Sequence, residues 1–188
     1  VSADAGGIVL FGIAPNLVSR PLERAEAAGI PVIDVFNGQP DDPLEGPVQA
    51  HVTSDYTKSG VALANWTMMD SGCDADTVLF ASEALTLYEP FKEQMPRVYE
   101  EECPECSFEY EEVDLATIAT EVGPQASNVV RRNPELDYIF PAFDSLVTFI
   151  EPAVERTGWE GKILGHDGVA ASLDAIREDR GLQKVTMA

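Results

Sequence analysis

Basic residues are scarce in this chain: 12 Lys and Arg stand against 33 Asp and Glu, a formal net charge of -21 over 188 residues. A surface that negative repels phosphate backbones and anionic headgroups, which excludes nucleic acid and the membrane surface as expected partners. Long apolar runs are lacking too. They reach the length of one strand, far below the roughly 20 residues of a membrane helix, so no direct membrane insertion is expected. Neither G-x-G-x-x-G nor a P-loop occurs, which removes the usual glycine-rich phosphate cradles. Also missing are a G-x-S-x-G nucleophile elbow and an H-E-x-x-H pair, so no enzyme, no catalytic residue and no cofactor are expected.

Cysteine is nearly absent. Two of the three are spaced as Cys103-Pro104-Glu105-Cys106, and Cys73, His51 and His166 are the other zinc-type ligands. Zinc prefers four ligands in a regular spacing, so no metal site is expected. A thioredoxin-type pair should open a helix after a strand, whereas this one closes a helical segment. What remains is a local disulfide, which implies an oxidising compartment, or free thiols.

What is present is periodicity. Hydrophobic content of 45% against 24% charged fits a globular chain with a real core. Residues 9–13 form an apolar run, followed by Val18, Leu22, Ala25 and Ala28 at helical spacing and then Gly29. Residues 30–35 predict a second strand ending at Phe36 and Asn37, and the proline- and acid-bearing residues 39–46 predict a loop. A short strand at 51–53, a helix from Ser54-Asp55 to Asp70 and a buried strand at 77–80 follow. Phe91, Met95, Val98 and Tyr99 share a helix face that Pro96 should kink or delay. Residues 107–113 alternate aromatic and acidic side chains, as a strand near an exposed edge does. Val129 and Val130 sit in a helix before a strand at 138–140, and 145–157 predicts the next helix. The strand beginning at Lys162 ends in His166-Asp167-Gly168, a helix over 169–180 should turn Leu173 and Ile176 inward, and 183–187 predicts a final strand. Alternation at this spacing predicts an α/β fold with mostly parallel sheets flanked by helices, in two groups of strands split near residues 51–55.

In an open α/β sheet, ligands gather outside the carboxyl ends of the strands. There the chain offers Ile13, Phe36 and Asn37, Ser82 and Glu83, Asp114, Phe143 and Asp144, and His166 and Asp167, with no lysine or arginine. Acids, an amide and aromatic rings without a base suit a neutral hydroxylated ring or a cation. Asp167 is the leading candidate. Asp144 is expected to cap the helix from Ser145, and Asp167 could likewise cap at Val169 while binding with its other oxygen.

Five segments, AGIPVIDVFN, HVTSDYTKSG, PFKE, RRNPELDYIFPAFDSL and KILGHDGVAASLDAIREDRGLQKVTMA, together resemble the type I periplasmic sugar-binding proteins of the ribose-binding kind. That fold is shared with the effector domains of lactose-repressor-type regulators. NPxxDxIF-x-x-x-D followed by a G-x-D-G strand end is the most specific part of the likeness. The resemblance implies a two-lobe fold with its first lobe truncated: residues 1–54 as a partial first lobe with one βαβ unit and a crossing, and 55–188 as a second α/β lobe. The chain is thus expected to be a piece of a longer protein.

The resemblance further implies the extracytoplasmic solute-binding component of an ABC importer, holding a small neutral sugar-like or cyclic ligand between two lobes. Its partners would be that ligand and the transporter permease. Its location would be periplasmic or extracellular, with any lipid anchor in a segment outside these residues, and the Cys103/Cys106 pair would suit an exported protein. A ligand-sensing domain of a transcriptional repressor or membrane receptor is the alternative. In that family the counterpart of Asp167 bonds sugar hydroxyls, the position of Phe143 usually holds asparagine, and those of Phe36 and Asn37 often hold aspartate and arginine. An arginine is also usual where Leu87 and Tyr88 stand. The implied contacts are Asp167, Phe143, Asn37, Phe36, Tyr88, Glu83 and Asp144, for a ligand flatter or less hydroxylated than ribose.

Overall fold

Parallel pairing governs both sheets of this chain. The computed structural model describes residues 5–187; residues 1–4 and 188, at the ends of the two expected lobes, lie outside the described residues. The chain divides into two units, one running to Tyr56 and taking in Leu85–Leu87, the other made of Thr57–Ala84 and the residues from Tyr88 onward.

In the first unit, β1 (Ile8–Phe11), β2 (Val32–Val35) and β3 (Val48–Val52) lie side by side in chain order, all parallel. Helix α1 (Ser19–Ala27) makes the crossover between the first two. Side chains alternate across a strand, so one face carries Leu10, Val32 and Val48, which pack with Leu22 and Ala25 of α1. The opposite face carries Val9, Phe11, Ile33 and Val52, exposed by between 41% and 67%. Strand β3 begins earlier than the sequence predicts because Val48 fills the core, and Thr53 leaves the ladder to donate its hydroxyl to the Gly38 carbonyl at 3.0 Å.

The second unit contains α2 (Tyr56–Ser71) from its second residue, β4 (Asp76–Ala81), α3 (Glu89–Glu102), β5 (Ser107–Glu112), α4 (Ile118–Arg132), β6 (Tyr138–Pro141), α5 (Val147–Glu155), β7 (Lys162–Ile163) and α6 (Ala170–Arg177). Its four strands are parallel in the order β5-β4-β6-β7. The alternating strand β5 is indeed an edge. Central β4 is buried from Thr77 to Ala81, which is why it reads as an unbroken apolar run. On one face Val78, Phe80 and Ile139 pack against Val122, Ala126 and Val129 of α4 and Ile150 and Val154 of α5. On the other, Phe140 meets Phe91 of α3 at 4.9 Å between ring centroids, and the Tyr99 hydroxyl bonds Thr77 and Thr67.

Helix α3 starts at Glu89 and continues through Pro96, so the proline does not delay it. The reason is one of magnitude. An internal proline costs about 3 kcal/mol, while each fully buried large side chain contributes roughly 1.5–3 kcal/mol, and Phe91, Met95, Val98 and Tyr99 are all buried along this helix. Pro124 and Pro152 sit inside α4 and α5 in the same way. Two further expectations are corrected. Leu173 of α6 is exposed, and the inward residue is Ser172, with Ala175 and Ile176 half-buried on the same face. Residues 183–187 do not form a regular strand: they touch β7 and the loop after it through isolated bridges at Gln183 and Met187. The ladder is interrupted because four steps lead from Gln183 to Met187 against three from Ile163 to His166, a one-residue shift of register.

Among the described residues no helix is long and apolar enough to cross a membrane. Helices α4 and α5 cross at Gly123, where an added Cβ would lie 2.9 Å from the Phe149 carbonyl oxygen and 3.2 Å from the Ala153 Cβ. Alanine is the better helix former by about 1 kcal/mol, yet overpacking against backbone costs roughly 1–3 kcal/mol. Gly123→Ala is therefore expected to destabilise the protein, seen as a lower urea midpoint; a raised midpoint would show that the two helices separate freely.

Candidate functional site

Four parallel strands deliver Ser82 and Glu83, Asp114, Phe143 and Asp144, and His166 and Asp167 to one edge of the second unit. Asp167 has the most constrained backbone among them, with φ of +103°. Such a conformation costs of order 1–3 kcal/mol in a non-glycine residue and persists only where the surroundings fix it. Here its N–H donates to the Met187 carbonyl at 2.7 Å, and the Gly168 N–H donates to the Thr186 hydroxyl at 3.2 Å. The side chain is 36% exposed, with Oδ1 3.1 Å from Nδ1 of the buried His166. It bonds no backbone amide of α6, so Asp167 does not cap that helix.

Asp144 does not cap its own helix either. It is 1% exposed, and its carboxylate accepts from Gln183 Nε2 at 2.9 Å, from the Thr186 hydroxyl at 2.9 and 3.0 Å, and from the Val169 N–H at 3.0 Å. The cause is topological: β6 and β7 are neighbours, so an acid at the end of β6 reaches the loop beyond β7. Burial pushes the Asp144 carboxyl above its ordinary value, and the nearby Asp167 charge adds to this. The bonds from Thr186, Val169 and Gln183 oppose the shift without cancelling it. Asp144 thus holds the edge together rather than offering itself to a ligand.

Aromatic rings pave the space beside these acids. Tyr88 and Phe143 lie 5.7 Å apart at 18°, and Tyr88 and Phe91 lie 5.8 Å apart at 18°, an almost parallel series. The His166 ring is 5.1 Å from Phe91 and 6.5 Å from Tyr88. Asp167, Tyr88 and Phe143 are therefore brought together through His166 and the ring series. Beyond Tyr88 a depression of about 330 Å³ is lined by Ser82, Glu83, Lys92, Glu93 and Tyr110. Glu83 is paired there with Lys92 at 2.9 Å, and the ammonium lies 3.8 Å from the centroid of the Tyr110 ring. Glu112 accepts from the Ser82 hydroxyl, the Glu83 N–H and the Tyr110 hydroxyl. Burial first, and Glu112 second, hold the Tyr110 hydroxyl well above the usual phenol range.

Phe36 and Asn37 stand at the corresponding edge of the first unit. Phe36 has φ of +58° and meets Phe11 edge-to-face at 5.3 Å. The Asn37 amide donates to the Ile13 carbonyl at 3.2 Å and to the Asp34 carboxylate. Lys92 escapes a survey of strand ends because it sits in the first turn of α3; one helical turn past Tyr88 is the spacing that finds it. Thr186 and Gln183 escape because a strand reading of 183–187 gives no reason to single out their polar side chains. Cys103 and Cys106 form a disulfide with a Cα–Cα distance of 5.4 Å at the end of α3. A larger groove, about 490 Å³ between α2 and α3, is lined by Met68, Met69, Cys73 and Arg97, away from the strand-end residues.

A family model described as a periplasmic binding protein domain matches residues 1–188. None of the curated proteins compared by sequence matches the chain. Among solved structures, it is similar to an ABC transporter solute binding protein from Mycobacterium smegmatis with bound glycerol, at TM-score 0.80 and 17% identity over 96% of this chain and 61% of that one. It is similar also to one from Actinobacillus succinogenes with bound D-allose, at 0.77 and 20% over 94% and 64%. A third, from Agrobacterium vitis with bound allitol, gives 0.73 and 22% over 93% and 60%. The likeness is one of fold, and this chain spans about 60% of the length of the Agrobacterium vitis protein.

The raised Asp144 carboxyl has a measurable sign. Below the ordinary carboxylate value the group is protonated in the folded and unfolded chain alike. As pH rises the unfolded chain loses that proton first, so this group withdraws stability until pH passes its folded value. Urea unfolding between about pH 4 and pH 7 is expected to show this decline in the parent and not in Asp144→Asn; identical pH slopes would remove the burial effect.

Proposed function

We propose, from the premise that this chain belongs to the periplasmic binding protein family, that it is the ligand-holding part of a solute-binding protein serving an ABC importer. Its task is reversible binding, not turnover. The proposed ligand is small and neutral, a sugar, polyol or sugar-like ring compound. Residues 1–54 contribute part of one lobe and residues 55–188 make up the second. The protein works outside the cytoplasm and hands its ligand to a transporter permease. An oxidising location agrees with the Cys103–Cys106 disulfide, and any lipid anchor belongs to sequence beyond these residues.

One observation carries the ligand class: Asp167 stands at the same edge as the stacked Tyr88 and Phe143. A half-exposed carboxylate accepts hydroxyl hydrogens strongly, and aromatic faces pack against the C–H surface of a ring. Lys92, the basic side chain at this edge, is already paired with Glu83, so an anionic ligand finds poor complement. The glycerol, D-allose and allitol bound to the similar structures support a ligand of this kind.

Calorimetry with a panel of neutral sugars and polyols is the test. Loss of a charged hydrogen bond costs roughly 1.5–3 kcal/mol, so Asp167→Ala is expected to weaken binding about ten- to a hundredfold. Phe143→Asn, which removes the ring, should reorder the preference within the panel. Binding by Asp167→Ala as tight as the parent's would remove Asp167 from the site.

A further inference from the structure

Asp144 is a ligand candidate by position, yet every bond made by its carboxylate and its N–H runs to the two segments that surround Asp167. Its own N–H donates to the His166 carbonyl at 2.8 Å, and its Oδ2 accepts from the Val169 N–H at 3.0 Å. Thr186, which donates to the same carboxylate, accepts from the Gly168 N–H. The Asp167 N–H goes to Met187, the next residue after Thr186. Each residue from His166 to Val169 therefore has a backbone group tied either to Asp144 or to the segment that Asp144 holds. No side chain intervenes at Gly165, where an added Cβ would fall on Asp144 Oδ1 and Gln183 Nε2.

We propose that Asp144, acting through Thr186 and the Val169 amide, is the positioning residue that fixes Asp167 in its left-handed conformation with its carboxylate available to a ligand. The proposal rests on the reading of Asp167 as a ligand contact. Asp144 faces three separate donors, so a carboxylate, which only accepts, suits the position. An amide would turn an N–H2 group toward some of them and leave those donors unmatched. Four backbone tethers over four residues are also the kind of over-determination that a φ of +103° requires.

Thr186→Val tests this with little change of volume, and Thr186→Ser restores the hydroxyl. Two quantities are read on the full chain: amide hydrogen exchange at Asp167 and Gly168 without ligand, and affinity for D-allose and allitol by calorimetry. Thr186→Val is expected to speed exchange at both amides about tenfold or more while β4 and β6 stay protected. It should weaken polyol binding about tenfold, and Thr186→Ser should recover both properties. A purely structural threonine would instead lower the unfolding midpoint and leave the two local amides no faster than their neighbours. Parental exchange at Asp167 and Gly168 in Thr186→Val overturns the proposal. If Asp167→Ala abolishes binding while Thr186→Val and Asp144→Asn keep it, positioning alone fails. If Asp167→Ala binds as the parent does, the ligand reading fails first, and the positioning role for recognition falls with it.

Discussion

Parallel pairing in the second unit is the constraint on which the rest depends. Because β5, β4, β6 and β7 run the same way, every strand must leave the sheet at the same edge. Backbone N–H groups just past each strand have lost their ladder partners and need others. The acids there serve that need first: Glu112 accepts from Glu83, Asp114 from Ala116, and Asp144 from Val169. Among the described residues, Asp167 and Glu83 differ, since their carboxylates bond side chains, the His166 ring and the Lys92 ammonium. An acid-rich edge is therefore largely a consequence of the topology.

Most of the architecture is legible in the sequence because its cause is local. Apolar runs bounded by glycine or asparagine, and helical spacings such as Phe91-Met95-Val98, report burial directly. What is not legible depends on sums over distant residues. Pro96 reads as a kink or a delayed start in isolation, and the four buried side chains along the helix outweigh its cost. Leu173 reads as an inward residue by hydrophobicity, yet α6 turns Ser172 to the interior and leaves Leu173 exposed. Periodicity says which face of a helix is apolar; it does not say what lies beneath.

The candidate site divides in the same way. Strand ends locate Asp167, Phe143 and Glu83 because parallel topology fixes where such residues go. Their roles are harder to read. Asp144 looks like a helix cap when only its own helix is considered, and becomes a strut once the neighbouring strand supplies Val169, Gln183 and Thr186. Lys92 stays hidden because helix geometry, not strand geometry, carries it to Glu83. Of the stacked rings, Tyr88 and Phe91 stand three residues apart at the start of α3, whereas Phe143 comes from beyond β6, a meeting no local pattern encodes.

The tethers from Asp167 to Met187 and from Gly168 to Thr186 also set an order of events. During synthesis the four strands and their covering helices emerge before residues 183–187, so the sheet and its floor of rings can assemble while the loop at Asp167 still lacks its clasp. The fixed backbone at Asp167 is then among the last features this part of the chain acquires. A nascent chain halted just short of Gln183 would possess nearly all of its buried core and none of the tethers that fix the backbone at Asp167.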